Sequence, residues 1–195
     1  MIKALLLIFE PGMTWDKIVL AKRSVSFVLF AYLLPLIILS IAGELFGLLY
    51  WGRHQEIVGE MRRISTNMAI YYGSAQFVMS LALVFGGAKL LKSFAGTFHT
   101  RHSYGQCFIL VAYTLGPLFL VRLLDAFPFM NPWATFAIGI ILSVAVLYNG
   151  IPRMLEPDPP HAFGLYITSA MLLIIIGGLG RFLTTLVLDG KLNLH

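Results

Sequence analysis

Four charged residues stand inside or at the ends of otherwise apolar stretches of this chain: Glu44, Arg122, Asp125 and Arg181. A charge at the centre of a membrane-spanning helix costs roughly 2.5–3.5 kcal/mol on insertion scales, so each such residue needs a partner or a function. Opposite charges can hold helices together as an ion pair, or they can line a path for protons or a substrate. These residues are therefore our candidate intramembrane polar cluster.

The positions of the charges within their stretches indicate which of them meet. Glu44 and Arg181 each lie about two helical turns before the end of an apolar stretch, which places both roughly 10 Å deep from the same side. We expect these two residues to pair. Arg122 competes for Glu44, unless it extends to the headgroups or meets Asp125 one turn later. A structural ion pair is the expected role, and a proton or substrate relay is the alternative.

Polar side chains also occur in two neighbouring apolar stretches. Tyr148 and Asn149 lie toward the end of one stretch, and Tyr113 and Pro117 lie within the preceding one. A side-chain amide in hydrocarbon seeks a hydrogen bond across helices. These residues predict either helix packing or a polar pocket that opens to the cytoplasm.

Metal and enzyme signatures are weak or missing. His99 and His102 are spaced to face one side of a helix, but no third ligand stands beside them, and contact with headgroups is the simpler interpretation. Cys107 is the only cysteine, which excludes an internal disulfide and a cysteine zinc cluster. The sequence contains no G-x-S-x-G, H-E-x-x-H or G-x-x-x-x-G-K-[ST] motif. We expect no metal, no cofactor and no enzymatic activity.

Composition indicates the environment in which this protein folds. Of its 195 residues, 58% are hydrophobic and 12% are charged, and the mean hydropathy is +0.84. Soluble domains carry about 25% charged residues, so the chain is a membrane protein. Its net charge of +5 comes from basic residues beside apolar stretches, where they meet anionic lipid headgroups. We therefore expect membrane lipids as partners and no nucleic acid.

Hydropathy predicts an all-α fold: a polytopic helical bundle with five transmembrane helices, since a span needs about 20 apolar residues. The spans are expected at residues 24–50, 68–91, 105–124, 133–155 and 163–188. Pro35 and Pro117 predict bends, and Gly43 with Gly47 predicts a close helix contact. Residues 24–188 form the membrane domain, and 189–195 form a short tail.

Two segments are predicted to lie on the membrane surface. Residues 1–23 read as an N-terminal interfacial segment with a short helix, in which Trp15, Ile18 and Val19 face lipid. Residues 52–67 contain Ile57, Met61 and Ile64 at helical spacing, which predicts an amphipathic surface helix.

The distribution of basic residues predicts the orientation. One side holds eight loop charges and the other holds four: Lys3, Lys17, Lys22, Arg23, Lys89, Lys92, Arg101 and Arg153 against Arg53, Arg62, Arg63 and Lys191. The basic side faces the cytoplasm by the positive-inside rule. We therefore expect a cytoplasmic N-terminus and an outside C-terminus, with the bacterial cytoplasmic membrane as the expected location.

Several motifs resemble the later half of the Yip domain, the Ypt/Rab-interacting membrane protein family, in its bacterial form. They are Ala112-Tyr113, Pro117, Leu147-Tyr148, Asn149, Gly150, Pro152 and the stretch 162–166, with a weaker likeness at Pro11 and Thr14-Trp15. The acidic Asp-Leu-Tyr-Gly-Pro signature of the eukaryotic branch has no counterpart here, so Rab binding is not carried over. The resemblance implies a five-helix integral membrane fold connected to trafficking, envelope assembly or transport, with no assigned reaction.

Two functions follow as hypotheses. The first is a non-catalytic integral membrane protein that acts through lipids, a membrane-protein partner or a second copy of itself. The alternative is a small transporter or permeation component that uses Glu44, Arg122 and Arg181.

Overall fold

The computed structural model describes residues 2–54, 61–62, 64–97 and 102–189. Within these ranges the chain forms seven helices. Two short helices come first, α1 (Ile2–Phe9) and α2 (Pro11–Leu20). Five long helices follow: α3 (Val25–Tyr50), α4 (Thr66–Thr97), α5 (Tyr104–Ala126), α6 (Pro132–Met154) and α7 (Pro159–Leu188).

The five long helices confirm the predicted membrane architecture. Each is long and apolar enough to cross a bilayer, and their ends lie near the predicted ones. The main difference is α4, which continues to Thr97 instead of ending near residue 91. Helices satisfy all their backbone hydrogen bonds internally, which is why apolar stretches of this length become helices in lipid.

Two prolines interrupt the regular helix geometry where bends are expected. Pro35 lies two residues after the end of a π-helical turn, Leu29–Leu33, inside α3. Pro117 follows a break at Leu115 in α5. A proline lacks an N–H group and its ring collides with the carbonyl one turn earlier, so the preceding turn must widen or break.

Gly43 and Gly47 make the close helix contact that was predicted, and the structure shows that their partner is the end of α5. A Cβ at Gly43 would meet the Leu123 side chain at 3.4 Å. At Gly47 the contact is closer, because a Cβ would stand 2.8 Å from the carbonyl oxygens of both Asp125 and Ala126. Only glycine allows this approach of two backbones.

We expect Gly47→Ala to destabilise the protein by about 1–3 kcal/mol, because the added methyl group meets backbone atoms that cannot rotate away. Gly86→Ala is the matched control, since nothing lies within 4 Å of a Cβ there. That change removes backbone freedom from the unfolded chain and should be neutral or stabilising. Thermal unfolding in detergent measures both variants, and equal effects would contradict the close contact at Gly47.

The N-terminal helices correct one prediction: Trp15 and Ile18 do not face lipid. Both side chains are buried against the bundle. The Trp15 Nε1 group donates a hydrogen bond to the Val146 carbonyl oxygen of α6 at 3.0 Å. Gly150 makes room for the indole, since a Cβ there would lie 2.6 Å from Trp15 Cζ2. The physical reason is that the indole finds both a cleft of its shape and a hydrogen-bond acceptor in the bundle.

Helix α1 packs against the bundle, as α2 does. Ala4 and Leu7 are fully buried, and the Ala4 Cβ lies 3.2 Å from the position that a Cβ on Gly116 would take. The opposite faces of the two helices keep apolar side chains exposed, with Phe9 and Leu20 among them. One side of the α1–α2 hairpin therefore packs on α5 and α6, and the other side remains apolar.

The predicted surface helix at residues 52–67 is wrong where the structure describes this segment. Strand β1 (Arg53–His54) pairs with strand β2 (Met61–Arg62) in an antiparallel ladder, with Arg53 opposite Arg62. Gly52 has a φ of 87°, a left-handed conformation that ends α3 and redirects the chain. Three apolar residues at helical spacing are too few to specify a helix, and one of them, Ile57, lies outside the described residues.

Candidate functional site

Seven buried polar residues form one network near the end of the bundle at which α3 and α5 finish. We call this network the charged cluster. All five long helices contribute to it: Glu44 from α3, Tyr72 and Gln76 from α4, Arg122 and Asp125 from α5, Thr135 from α6, and Arg181 from α7. None of its four charged residues is more than 8% exposed.

The end of α5 explains why two of these residues point inward together. Residues Arg122–Ala126 form a 3₁₀ helix. Side chains three residues apart eclipse one another in this geometry. Arg122 and Asp125 are spaced in this way, and both are buried. The tight last turn therefore directs a cation and an anion into the bundle side by side.

Glu44 is the centre of the cluster. Its Oε1 atom accepts hydrogen bonds from the Tyr72 hydroxyl at 2.6 Å and from Arg181 Nη1 at 3.0 Å. Its Oε2 atom accepts from Gln76 Nε2 and from Arg122 Nη2, both at 2.8 Å. A carboxylate has about four lone-pair sites, and here the protein occupies them all.

The second carboxyl group, Asp125, completes the charge balance. Arg181 Nη2 lies 3.4 Å from Asp125 Oδ2, and the Thr135 hydroxyl donates to Oδ1 of the same residue. Arg122 Nη2 also donates to Gln76 Oε1 at 2.6 Å. The formal charges of the two arginines and the two acids cancel within the cluster, which is the condition for burying them at tolerable cost.

The structure brings together all four charged residues that the sequence singled out. Arg122 and Arg181 bind Glu44 together: Arg122 donates to Oε2 at 2.8 Å, and Arg181 donates to Oε1 at 3.0 Å with a longer contact to Oε2 at 3.3 Å. Sequence reasoning missed Tyr72, Gln76 and Thr135. Gln76 offered a usable signal, since an amide inside an apolar span needs a partner, and Tyr72 lies one turn away on the same face.

Of the two alternatives for Tyr148, Asn149, Tyr113 and Pro117, the geometry favours helix packing over a shared polar pocket. Tyr148 is 59% exposed and packs edge-on against Tyr166, with ring centroids 5.2 Å apart. Asn149 donates to the Ala145 carbonyl of its own helix. Tyr113 is buried beside Tyr32, with ring centroids 4.4 Å apart.

The reason is that α2 occupies the space between α5 and α6. The Trp15 ring packs edge-on against the Tyr113 ring, with ring centroids 6.2 Å apart, and lies beside Gly150. Pro117 is buried next to the break in α5, and Pro152 is exposed near the end of α6. These positions, which carried the family resemblance, therefore shape helix packing.

The metal hypothesis concerned His99 and His102. His102 precedes α5, and His99 lies outside the described residues. Across the described ranges no three His, Cys, Asp or Glu side chains gather as potential metal ligands.

Exposed basic side chains gather at the end of the bundle remote from the charged cluster. We call this the basic end, and it includes Lys17, Lys22, Arg23, Lys89 and Lys92. It is where α2 ends, α3 begins and α4 approaches its last residues. Arg153 lies there too and pairs with Asp16 at 2.9 Å. An exposed cationic rim beside apolar helices suits contact with anionic headgroups.

Five helices able to cross a membrane, joined by a buried and neutralised charged cluster, define an integral, multi-pass membrane protein. The family model described as the Yip1 domain matches residues 5–181. The chain therefore belongs to the Yip1 domain family, which confirms the resemblance seen in its motifs. No curated protein and no solved structure gives a significant match.

Proposed function

We propose that this Yip1-family protein is non-catalytic and acts by binding lipids or a protein partner at its basic end, in trafficking, envelope or membrane organisation. One observation carries the proposal. Among the side chains that the structure describes, the buried charges are bonded to one another, whereas exposed basic side chains gather at the basic end. Buried charges that satisfy each other serve cohesion, and exposed ones remain available for recognition.

The alternative of permeation through Glu44, Arg122 and Arg181 has less support. A relay needs charges that face a continuous water path and can change partners. Glu44 instead accepts four hydrogen bonds from surrounding side chains at 2.6–3.0 Å. We propose that Glu44 instead holds the five spans in register.

The orientation forms part of the same proposal. The basic end faces the cytoplasm of a bacterial cell, because Lys and Arg concentrate on cytoplasmic loops and that leaflet attracts cations. The exposed apolar face of the α1–α2 hairpin, which includes Phe9 and Leu20, then lies in the cytoplasmic leaflet next to the cationic rim. Apolar contact and charge together are the two signals that stable interfacial binding needs.

Photo-crosslinking in native membranes tests the proposal. Photoreactive residues replace Lys17, Lys92 or Asp158 at the basic end, and Phe129 provides the control at the opposite end, where it is 74% exposed. Mass spectrometry identifies every captured lipid and protein. We expect anionic lipid or one recurrent protein at the basic end and not at Phe129. The same products from both ends would contradict the proposal.

A further inference from the structure

A small cavity adjoins the charged cluster between α4, α5, α6 and α7. Its volume is about 30 Å³. Apolar residues such as Phe119 and Phe136 form part of its wall. The polar part of its wall consists of Gln76, Ser80, Arg122, Arg181 and Thr184.

Two hydrogen-bond donors of the wall lack acceptors. The Nε atoms of Arg122 and Arg181 are buried and have no hydrogen-bond partner among the described residues. Their other contacts to Glu44, Gln76 and Asp125 use the terminal nitrogens. Buried polar groups are nearly always hydrogen-bonded, and a charged donor without an acceptor is especially costly. The site therefore calls for a ligand that accepts hydrogen bonds.

Size and charge identify the class of that ligand. A water molecule needs about 10–15 Å³ of such space and two to four polar partners, so the cavity has room for about two. Because two arginines already face two carboxyl groups, the balanced charge favours a neutral ligand over an anion. The hydroxyl groups of Ser80 and Thr184 can accept the hydrogens of a ligand that accepts from the arginines.

We propose that this cavity, which is half open at the surface of the bundle, is a hydration site that holds two water molecules between the membrane helices. The waters accept hydrogen bonds from the Arg122 and Arg181 guanidinium groups and donate to the hydroxyl groups of the wall. They complete the charged cluster on the side that Glu44 and Asp125 do not reach.

Gly180 provides a variant that removes the space without a clash. Gly180 lines the cavity, and a Cβ there would meet only the Met79 Cβ at 4.0 Å. Gly178→Ala is the matched control on the same helix, because nothing lies within 4 Å of its Cβ. Both changes gain the same helix propensity over glycine.

We expect Gly178→Ala to raise the melting temperature in detergent and Gly180→Ala to lower it by roughly 2–4 °C, since the methyl group displaces water from charged donors. If the cavity is dry, the same methyl group fills an empty space. Gly180→Ala would then stabilise the protein at least as much as Gly178→Ala, and the proposal would be overturned.

A direct readout of hydration uses radiolytic hydroxyl labelling in ¹⁸O water, which marks side chains that adjoin bound water. Phe119 lines the cavity and is buried, while Phe108 is equally buried in the same helix but does not line it. We expect label on Phe119 in the native protein, little on Phe108, and loss of the Phe119 label in Gly180→Ala. Equal labelling of the two phenylalanines would overturn the proposal. A bound anion would also overturn the proposal. The sign of such an anion would be a native protein that is more stable in chloride than in gluconate, with this difference lost in Gly180→Ala.

Discussion

Replacing Glu44 by glutamine is expected to lower the free energy of unfolding by about 3–5 kcal/mol, because it leaves an uncompensated buried charge. Glu44 accepts from Arg122 at 2.8 Å and from Arg181 at 3.0 Å, so its neutralisation leaves two guanidinium groups facing the single carboxyl group of Asp125. Glutamine keeps the size of the side chain, so the loss reports charge and not packing. Equilibrium unfolding in mixed detergent micelles measures it.

Second-site changes should rescue this loss to unequal extents. In Glu44→Gln with Arg122→Gln, the remaining pair is Arg181 and Asp125, which already lie 3.4 Å apart. In Glu44→Gln with Arg181→Gln, Asp125 loses that partner, so we expect smaller recovery. Lys92→Gln is the control second change, because Lys92 is exposed and distant from the cluster. Each pair of changes forms a double-mutant cycle. If the two single losses of unfolding free energy simply add in both cycles, the shared ion pair is contradicted.

Trp15→Ala is expected to destabilise the docking of the α1–α2 hairpin by about 3–5 kcal/mol, the usual loss when a buried tryptophan is truncated. The change removes a fully buried ring and its hydrogen bond to the Val146 carbonyl group. Because the five spans keep their own contacts, the loss should be confined to the hairpin. Hydrogen exchange of the α2 amides measures this local opening.

Leu20→Ala controls for the removal of an apolar side chain from the same helix, since Leu20 is 80% exposed. Its α2 amides should exchange as in the native protein. Trp15→Phe separates the two parts of the effect, because it keeps most of the ring and loses about 1 kcal/mol with the hydrogen bond. Equal exchange in Trp15→Ala and Leu20→Ala would show that the hairpin does not depend on the buried indole.

The sequence predicted the five spans because hydrocarbon leaves the backbone few alternatives to a helix. It misplaced Trp15 because lipid and protein interior are similarly apolar, and hydropathy does not distinguish them. The cleft that receives the indole depends on Gly150 and Leu110, which lie in two different spans. The cleft forms only when those two helices pack together, so the sequence of either helix does not predict it.

The charged cluster was predictable in part for a similar reason. The cost of an intramembrane charge singled out Glu44, Arg122 and Arg181, and their depths placed them near each other. Whether Arg122 pointed inward depended on the 3₁₀ turn at the end of α5, which no local motif specified. Thr135 joined the cluster through the helix that follows, so its role could not be read from spacing alone.

The most direct test of our account separates the stability of the charged cluster from the activity of the basic end. The measurement is photo-crosslinking from position 92 in the Glu44→Gln/Arg122→Gln variant, after its folding has been verified. We predict the same captured lipids or protein as in the native chain, because the cluster acts through cohesion alone. A folded variant that loses these products, or that changes solute flux across liposomes, would contradict the account and favour a permeation role for the buried charges.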